Sequence, residues 1–198
     1  MNRTVERTLA ILKIIANSEH GITLQEIANQ MDMAKSSTFV IVHTLLELNY
    51  ISTVENNDKK YCLGVETFAL GMKYANNQSL VQQCVIHLPG LAEKYNKTAF
   101  LGILNGSNVV YLYKYVAENA RLATCSIGSS KPAHATALGK ALIAFLPPKV
   151  QRALIDNMEL TSYTDQTISS KEEFIAQLEQ IRKQGYATEF AELGHLTA

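Results

Sequence analysis

The chain has 198 residues, 47% of them hydrophobic, and a formal net charge of zero. This is enough for one medium domain or two small ones with real cores, and it excludes a disordered or fibrous class. No apolar run is long enough to cross a bilayer, and the charges at Arg3, Glu6, Arg7 and Lys13 are unlike a signal peptide. We therefore expect a cytoplasmic protein with no membrane partner.

Catalytic and metal-binding patterns are missing from the sequence. The three cysteines, Cys62, Cys84 and Cys125, are odd in number and have no metal-ligand spacing, so we expect reduced, small apolar side chains. A hydrolase could use Cys125 or Ser126 as its nucleophile with His134 as the base. The sequence around these residues has neither a nucleophile-elbow pattern nor an obvious acid partner. We predict neither an enzyme nor a metal or cofactor site.

Residues 22–51 contain two short helical patterns with a break between them. Thr23 followed by Glu26 fits a capping box at the start of the first helix. Apolar residues then recur at helical spacing, first at Leu24, Ile27, Ala28 and Met31, and after the break at Thr38, Ile41, Val42, Leu45 and Leu48. With a tight turn at Asp32-Met33, the stretch predicts a helix-turn-helix; the alternative is an ordinary helical hairpin.

The second of these helices has a surface suited to DNA. It begins Ala34-Lys35-Ser36-Ser37, a polar N-terminus able to donate to phosphate oxygens. The face opposite its core is mostly small or polar, as a major-groove surface requires; its residues are Ser36, Ser37, Val40, His43 and Glu47.

A predicted hairpin follows, with strands at residues 50–54 and 60–63 around an Asn56-Asn57-Asp58 turn. Lys59 and Lys60 at its tip would reach the DNA backbone, which makes the unit a winged helix. The predicted DNA contacts are Lys35, Ser36, Ser37, Phe39, Val40, His43, Thr44, Lys59 and Lys60. Up to Ala75 the chain has seven Lys or Arg against eight Asp or Glu, so binding must depend on local placement of charge.

The first helical segment is more apolar than one core needs. Val5, Leu9, Ile11, Leu12, Ile14 and Ile15 cover over half of its circumference, whereas a surface helix needs a stripe of about 100°. The surplus of apolar surface predicts a homodimer, in which outward residues such as Ile11 or Ile14 lie at the contact between the two subunits.

The second half of the chain alternates helical and strand patterns. We expect one helix over residues 80–92 with a kink at Pro89, and two strands joined by Asn105-Gly106. Residues 120–128 predict a third strand, and helices follow at residues 136–146, after Pro147-Pro148, and at 171–184. Ser170 with Glu173 fits a capping box, and residues 186–190 predict another strand. This is an α+β pattern.

Several segments resemble the IclR-type bacterial transcription regulators from Val5 to about Glu192: "VERTLAILKIIA", "AKSS", "LLELNYI", "KYCLG" and "KPAHATALGKALIAFLP". The resemblance implies an N-terminal winged helix-turn-helix (1–64), a linker helix (65–78) and a GAF-like or PAS-like effector-binding domain (79–198). It also implies a double-stranded DNA operator, a small organic acid or aromatic effector, a homodimer or tetramer, and control of a catabolic operon.

By the same resemblance, one wall of the effector pocket is the segment Ala135, Thr136, Ala137, Leu138, Gly139 and Lys140. A helix N-terminus that attracts a carboxylate agrees with this. The alternative is that Gly139 and Ala141 are small only so that the helix can pack. A P-loop is excluded, because His134 and Ala141 stand where that motif needs Gly and Ser or Thr.

The sequence departs from the family pattern at two places. Phe39 and Val40 replace an often polar or basic pair in the recognition helix, which leaves thymine methyls or DNA shape to be read. The chain also stops where the family adds the last strands of the effector domain, so we expect an exposed sheet edge and an effector segment open to water. The competing function is a winged helix used only for protein contacts.

Overall fold

The computed structural model describes residues 2–77, 79–120 and 125–194. The chain divides into two compact units, Met1–Asn77 and Gln78–Ala198. Each unit has its own hydrophobic core. Helices and antiparallel strands are mixed in both, which confirms the α+β class.

The first unit is a helix-turn-helix with a small sheet. Its elements in chain order are α1 (Arg3–Ala16), β1 (Ile22–Thr23), α2 (Leu24–Gln30), α3 (Lys35–Glu47), β2 (Ile51–Val54), β3 (Asn57–Leu63) and α4 (Val65–Asn77). The strand order is β1-β3-β2, and both pairings are antiparallel. The hairpin after α3 therefore joins the strand before α2, as in a winged helix.

The capping box predicted at the start of α2 is confirmed. Thr23 Oγ1 accepts the Glu26 N–H at 3.3 Å, and Glu26 Oε2 accepts the Thr23 N–H at 2.8 Å. The Thr23 backbone and hydroxyl donors hold the pKa of Glu26 below its ordinary value, because they stabilise the carboxylate. This contribution is present above the unfolded pKa of the carboxyl group and is lost as pH falls through the lowered folded value.

A tight turn joins α2 to α3, as predicted. Asp32 has φ +48°, in the left-handed region, and the Met33 N–H donates to Ala28 O at 3.0 Å. Since α3 starts directly after this turn, its orientation on α2 is set by a few backbone bonds.

The core of the first unit corrects two sequence predictions. Its buried members are Ile11, Ile15, Ile22, Ile27, Val42, Leu45 and Ile51. Ile11 is 0% exposed and Ile14 packs against this core, so neither is an outward residue of α1. Leu48 was predicted to face the core, but it is 55% exposed because α3 ends at Glu47.

The hairpin between β2 and β3 is tighter than predicted. Val54 pairs with Asn57, so Glu55 and Asn56 form the turn, and Asn56 has φ +61°. Lys59 and Lys60 consequently lie within β3 and not at the hairpin tip.

The second unit contains five helices and three strands among the described residues. They are α5 (Ser79–Val85), α6 (Leu88–Tyr95), β4 (Thr98–Asn105), β5 (Asn108–Val116), β6 (Ser130–Pro132), α7 (Ala137–Ala144), α8 (Pro148–Asp156) and α9 (Lys171–Gln184). A short 3-10 helix, Ala133–Ala135, connects β6 to α7. The strand order is β4-β5-β6.

The predicted helix over residues 80–92 is two helices. It breaks between Val85 and Leu88, and Pro89 lies in the first turn of α6, where its missing N–H costs no hydrogen bond. The β4–β5 hairpin is confirmed, one residue later than predicted: Asn105 pairs with Asn108, and the turn residues are Gly106, with φ +59°, and Ser107.

Two predicted strands need correction. For the strand over residues 120–128, positions 121–124 lie outside the described residues; residues 125–128 form no strand, and the third strand is β6. Residues 186–190 also form no strand. A strand requires a hydrogen-bonding neighbour, and residues 186–190 pair with no strand of the β4-β5-β6 sheet.

The core of the second unit lies where α7 and α9 pack together over the sheet. Its buried members are Val109, Tyr111, Ala133, Ile143, Ala144, Ile155, Met158, Phe174, Leu178 and Ile181. At the start of α9, Ser170 Oγ accepts the Glu173 N–H at 3.3 Å and donates to Glu172 Oε2 at 2.9 Å. The carboxylate partner is thus Glu172, not the predicted Glu173. No helix in the described ranges has the length and apolar content that a membrane crossing requires.

Candidate nucleic-acid interface and effector segment

The exposed face of α3 combines polar and apolar groups. Lys35, Ser36 and Ser37 are exposed on its first turn, and Ala34 before them makes no side-chain cap. Phe39 is 49% and Val40 63% exposed. The Phe39 and Val40 side chains are therefore not part of the hydrophobic core, and they are available to contact a partner.

His43 lies in the middle of the same face. Its Nδ1 is 3.2 Å from Glu47 Oε1, one turn later. The Phe39 ring, one turn earlier, is 5.3 Å from the imidazole between centroids. Glu47 lies on this face but is not among the predicted DNA contacts, although its four-residue spacing from His43 places the two side chains next to each other.

Thr44 also lies on this face, but its hydroxyl group is already hydrogen-bonded within α3. Its hydroxyl donates to Val40 O at 2.9 Å. The Thr44 hydroxyl proton is therefore already used inside the helix.

The two hairpin lysines differ in environment. Lys59 is exposed, and its backbone N–H donates to Asn57 Oδ1 at 3.2 Å. Lys60 is half-buried opposite Thr23 and close enough to Glu26 to contribute to its lowered pKa. Lys59 is the freer cation of the two.

The predicted effector segment is mostly buried. Ala135 and Lys140 are each 0% exposed and Thr136 is 7% exposed, whereas Ala137 and Leu138 are half-buried. The expectation of a segment open to water is therefore wrong.

Thr136 and Gly139 define the start of α7. Thr136 Oγ1 caps the helix by accepting the Gly139 N–H at 3.2 Å. A Cβ on Gly139 would lie 2.7 Å from the carbonyl carbon of Ala133, so glycine is required for the close approach of α7 to the 3-10 helix. This favours the packing explanation for Gly139.

Lys140 forms a buried ion pair with Glu192. Its Nζ donates to Glu192 Oε1, and the two side chains are 0% and 8% exposed. Glu192 Oε2 is buried without a hydrogen-bond partner. No local signal in the sequence pointed to Glu192, which lies 52 residues after Lys140.

Threonine hydroxyls hold the segment that carries Glu192. Thr164 Oγ1 donates to Ala191 O at 2.7 Å, and Thr167 Oγ1 donates to Glu192 O at 2.6 Å. The Glu192 N–H donates to Glu189 Oε1 at 2.7 Å, and Ala191 has φ +53°. These bonds supply partners for backbone groups of Ala191 and Glu192 and hold the segment that carries the Glu192 carboxylate.

Tyr111 and Cys125 meet beside the sheet. Burial raises the pKa of Tyr111 to about 12, and the neighbouring Cys125 thiol adds to the rise. The phenol therefore remains a neutral donor at neutral pH. Across the described ranges, no three His, Cys, Asp or Glu side chains are grouped so that they would hold a metal ion.

The geometry defines a winged helix-turn-helix unit followed by a separate α+β unit. The IclR helix-turn-helix domain matches residues 4–55, and the bacterial transcriptional regulator IclR C-terminal domain matches residues 72–195. The chain belongs to the IclR family of bacterial transcriptional regulators, which confirms the resemblance stated above. This is a family of DNA-binding regulators and not of enzymes.

Individual relatives agree with this assignment. The chain is 33% identical over 190 residues to the HTH-type transcriptional regulator XynR of Escherichia coli K12. The aligned region covers 96% of this chain and 75% of XynR. It is 30% identical over 183 residues to KdgR of Dickeya chrysanthemi, covering 92% of this chain and 59% of KdgR. An IclR transcriptional regulator from Alicyclobacillus acidocaldarius has the same fold, with a TM-score of 0.82 at 23% identity over 98% of this chain and 78% of that one.

Proposed function

We propose that this chain is a ligand-responsive regulator that binds an operator in double-stranded DNA, controls a catabolic operon and senses a small organic acid or aromatic metabolite. The observation that carries the DNA-binding part is the exposed face of α3, where Lys35, Ser36, Ser37, Val40 and His43 lie together. These residues follow the tight turn between α2 and α3, which is the position of the recognition helix in a helix-turn-helix.

Groups able to bind phosphate are present at the start of α3 and on β3, and they support the proposal. The N-terminus of α3 has free N–H groups, since Ala34 makes no side-chain cap, and Lys35 adds a cation there. Lys59 on β3 supplies a second cation for the DNA backbone. Val40 and Phe39 fit thymine methyl groups.

The hairpin lysines give the first prediction. Lys59→Ala with Lys60→Ala should weaken binding to all duplexes and lower the slope of log affinity against log salt by roughly one to two units. Because Lys60 is half-buried, Lys59→Ala alone should account for most of the change. Gel shifts over a salt series measure it, with Lys97→Ala, an exposed lysine of the second unit, as the matched control.

The same experiment separates the two function classes. A wild-type chain that shifts no random duplex at low salt would support a winged helix used for protein contacts and would end the operator proposal. An unchanged salt slope in the double variant would remove the hairpin from the DNA contact surface.

For effector binding we propose the first turn of α7. The Gly139 N–H is used by Thr136, but helix geometry leaves the N–H groups of Ala137 and Leu138 without intrahelical acceptors. Both residues are half-buried, and an anion near them would also meet the positive end of the helix dipole. The ligand class that fits is a small carboxylate.

We therefore expect calorimetry with a panel of small aliphatic and aromatic carboxylates to detect binding to the wild-type chain. Ala137→Glu should abolish it by placing a like charge at the site. Ala153→Glu, at an exposed position of α8, is the control that should bind as the wild type does. Carboxylate binding that Ala137→Glu leaves intact would place the effector elsewhere.

Assembly as a homodimer, or a tetramer built from dimers, completes the proposal. Val5 and Leu9 on α1 are 54% and 55% exposed, and α4, which has no buried residue, exposes Val65 and Phe68 to 67% and 68%. Two-fold assembly would bury such surface and would match two half-sites.

Leu9→Glu is the variant that tests assembly, because it puts a charge in the centre of the apolar surface of α1. We expect a dimer for the wild type and a monomer for the variant in sedimentation velocity. Gln30→Glu, exposed on α2, should remain dimeric. A wild-type monomer at micromolar concentration would contradict the dimer.

A further inference from the structure

His43 is held from both sides along α3. Glu47 Oε1 lies 3.2 Å from its Nδ1, and the Phe39 ring centroid lies 5.3 Å from the imidazole centroid with an interplanar angle of 38°. The His43 and Glu47 side chains are 51% and 67% exposed. The imidazole is thus restrained in orientation while it remains accessible.

This arrangement determines which ring nitrogen carries the proton. An ionised carboxylate accepts hydrogen bonds and donates none, so a neutral imidazole that pairs with Glu47 must carry its proton on Nδ1. The opposite ring nitrogen, Nε2, then has a free lone pair and acts as an acceptor. In this tautomer His43 has no proton to offer through Nε2.

We propose that Glu47 is a positioning residue which fixes the tautomer of His43, so that His43 Nε2 reads the exocyclic amine of adenine or cytosine in the major groove. This inference rests on the proposed operator binding. In the major groove, adenine N6 and cytosine N4 present donors, whereas guanine O6 and N7 and thymine O4 present acceptors. A lone pair on Nε2 attracts the first two bases and disfavours the others.

Val40 favours adenine of the two candidate bases. It lies three positions before His43, which makes the two side chains neighbours on the helix surface, and it is 63% exposed. An A·T pair offers the amine and the thymine methyl group together, so an acceptor beside an apolar side chain suits that pair. Thr44 does not compete as a donor, because its hydroxyl proton is bound to Val40 O.

The test is selection from a duplex library with a randomised central segment, at about pH 8, where histidine is ordinarily neutral. The wild type, Glu47→Ala, His43→Ala and Glu19→Ala are compared; Glu19 is exposed between α1 and β1 and controls for the loss of one negative charge. We expect the wild type and Glu19→Ala to select adenine or cytosine at one position of each half-site. Glu47→Ala and His43→Ala should relax that position and keep the flanking preference.

Base analogues that lack the exocyclic amine then test whether His43 Nε2 contacts that group. Replacing the selected adenine by purine, or the selected cytosine by its analogue without the amine, should weaken wild-type binding roughly three- to tenfold, the effect of one hydrogen bond. His43→Ala should not distinguish the two duplexes. Whichever analogue has the effect shows which of the two bases is read.

Three results would overturn the inference alone: guanine or thymine selected at that position, an unchanged preference in Glu47→Ala, or equal wild-type affinity for the duplex that lacks the amine. Failure of the wild type to bind any duplex would overturn both this inference and the proposed operator binding. Circular dichroism of each variant checks the fold, since alanine is well tolerated in an exposed helix.

Discussion

Lys140→Met is expected to lower the free energy of unfolding of the second unit by about 3–5 kcal/mol, the usual cost of breaking a buried ion pair by removing one partner. Lys140 is 0% exposed and pairs with Glu192, which is 8% exposed at its side chain. The substitution would leave a buried carboxylate without its cation, with one oxygen already lacking a partner. Urea denaturation measures the change, and amide hydrogen exchange assigns it to the second unit.

Two further variants distinguish loss of the pair from general damage. Lys149→Met, at an exposed position of α8, should change stability by less than about 0.5 kcal/mol. Combining Lys140→Met with Glu192→Leu should recover most of the loss, because apolar groups can replace a buried ion pair at little cost. A double variant as unstable as Lys140→Met alone would show that the carboxylate is not the cause.

Gly139→Ala is expected to destabilise the second unit by roughly 1–3 kcal/mol or more, the range for overpacking. The added methyl group would lie 2.7 Å from the carbonyl carbon of Ala133, and a backbone atom of the 3-10 helix cannot rotate away as a side chain would. Thermal and urea denaturation both measure the effect.

Gly90→Ala is the matched substitution with the opposite expected sign. Gly90 lies within α6, and a Cβ there would meet no atom within 4 Å. Since alanine is favoured over glycine inside helices, this variant should be more stable by roughly 0.5–1 kcal/mol. If both variants lost stability equally, the close approach of α7 to the 3-10 helix would not explain the glycine at position 139.

Local structure was predictable where neighbouring residues decide it. The capping box of Thr23 and Glu26, the turn at Asp32 and the helix Lys171–Gln184 depend on residues a few positions apart. The same holds for the exposed face of α3, since a helical period fixes which side chains lie opposite the core.

Neighbouring residues did not determine which of several apolar residues become buried. The sequence of α1 offered more apolar residues than one core needs, and periodicity could not show that Ile11 is enclosed while Leu9 remains exposed. That choice depends on where α2 and β3 pack against α1. Strand formation at residues 186–190 likewise depended on a neighbouring strand, which their own sequence cannot supply.

The helix-turn-helix, most of the helices and strands, and the resemblance to the family were predictable from the sequence, because they follow from short-range periodicity and from motifs in a fixed order. The burial of the effector segment and the pairing of Lys140 with Glu192 depend on the tertiary fold. The partners in that pair lie 52 residues apart. A buried charge is stable when folding brings a counter-charge next to it. No local sequence pattern could therefore have predicted this ion pair.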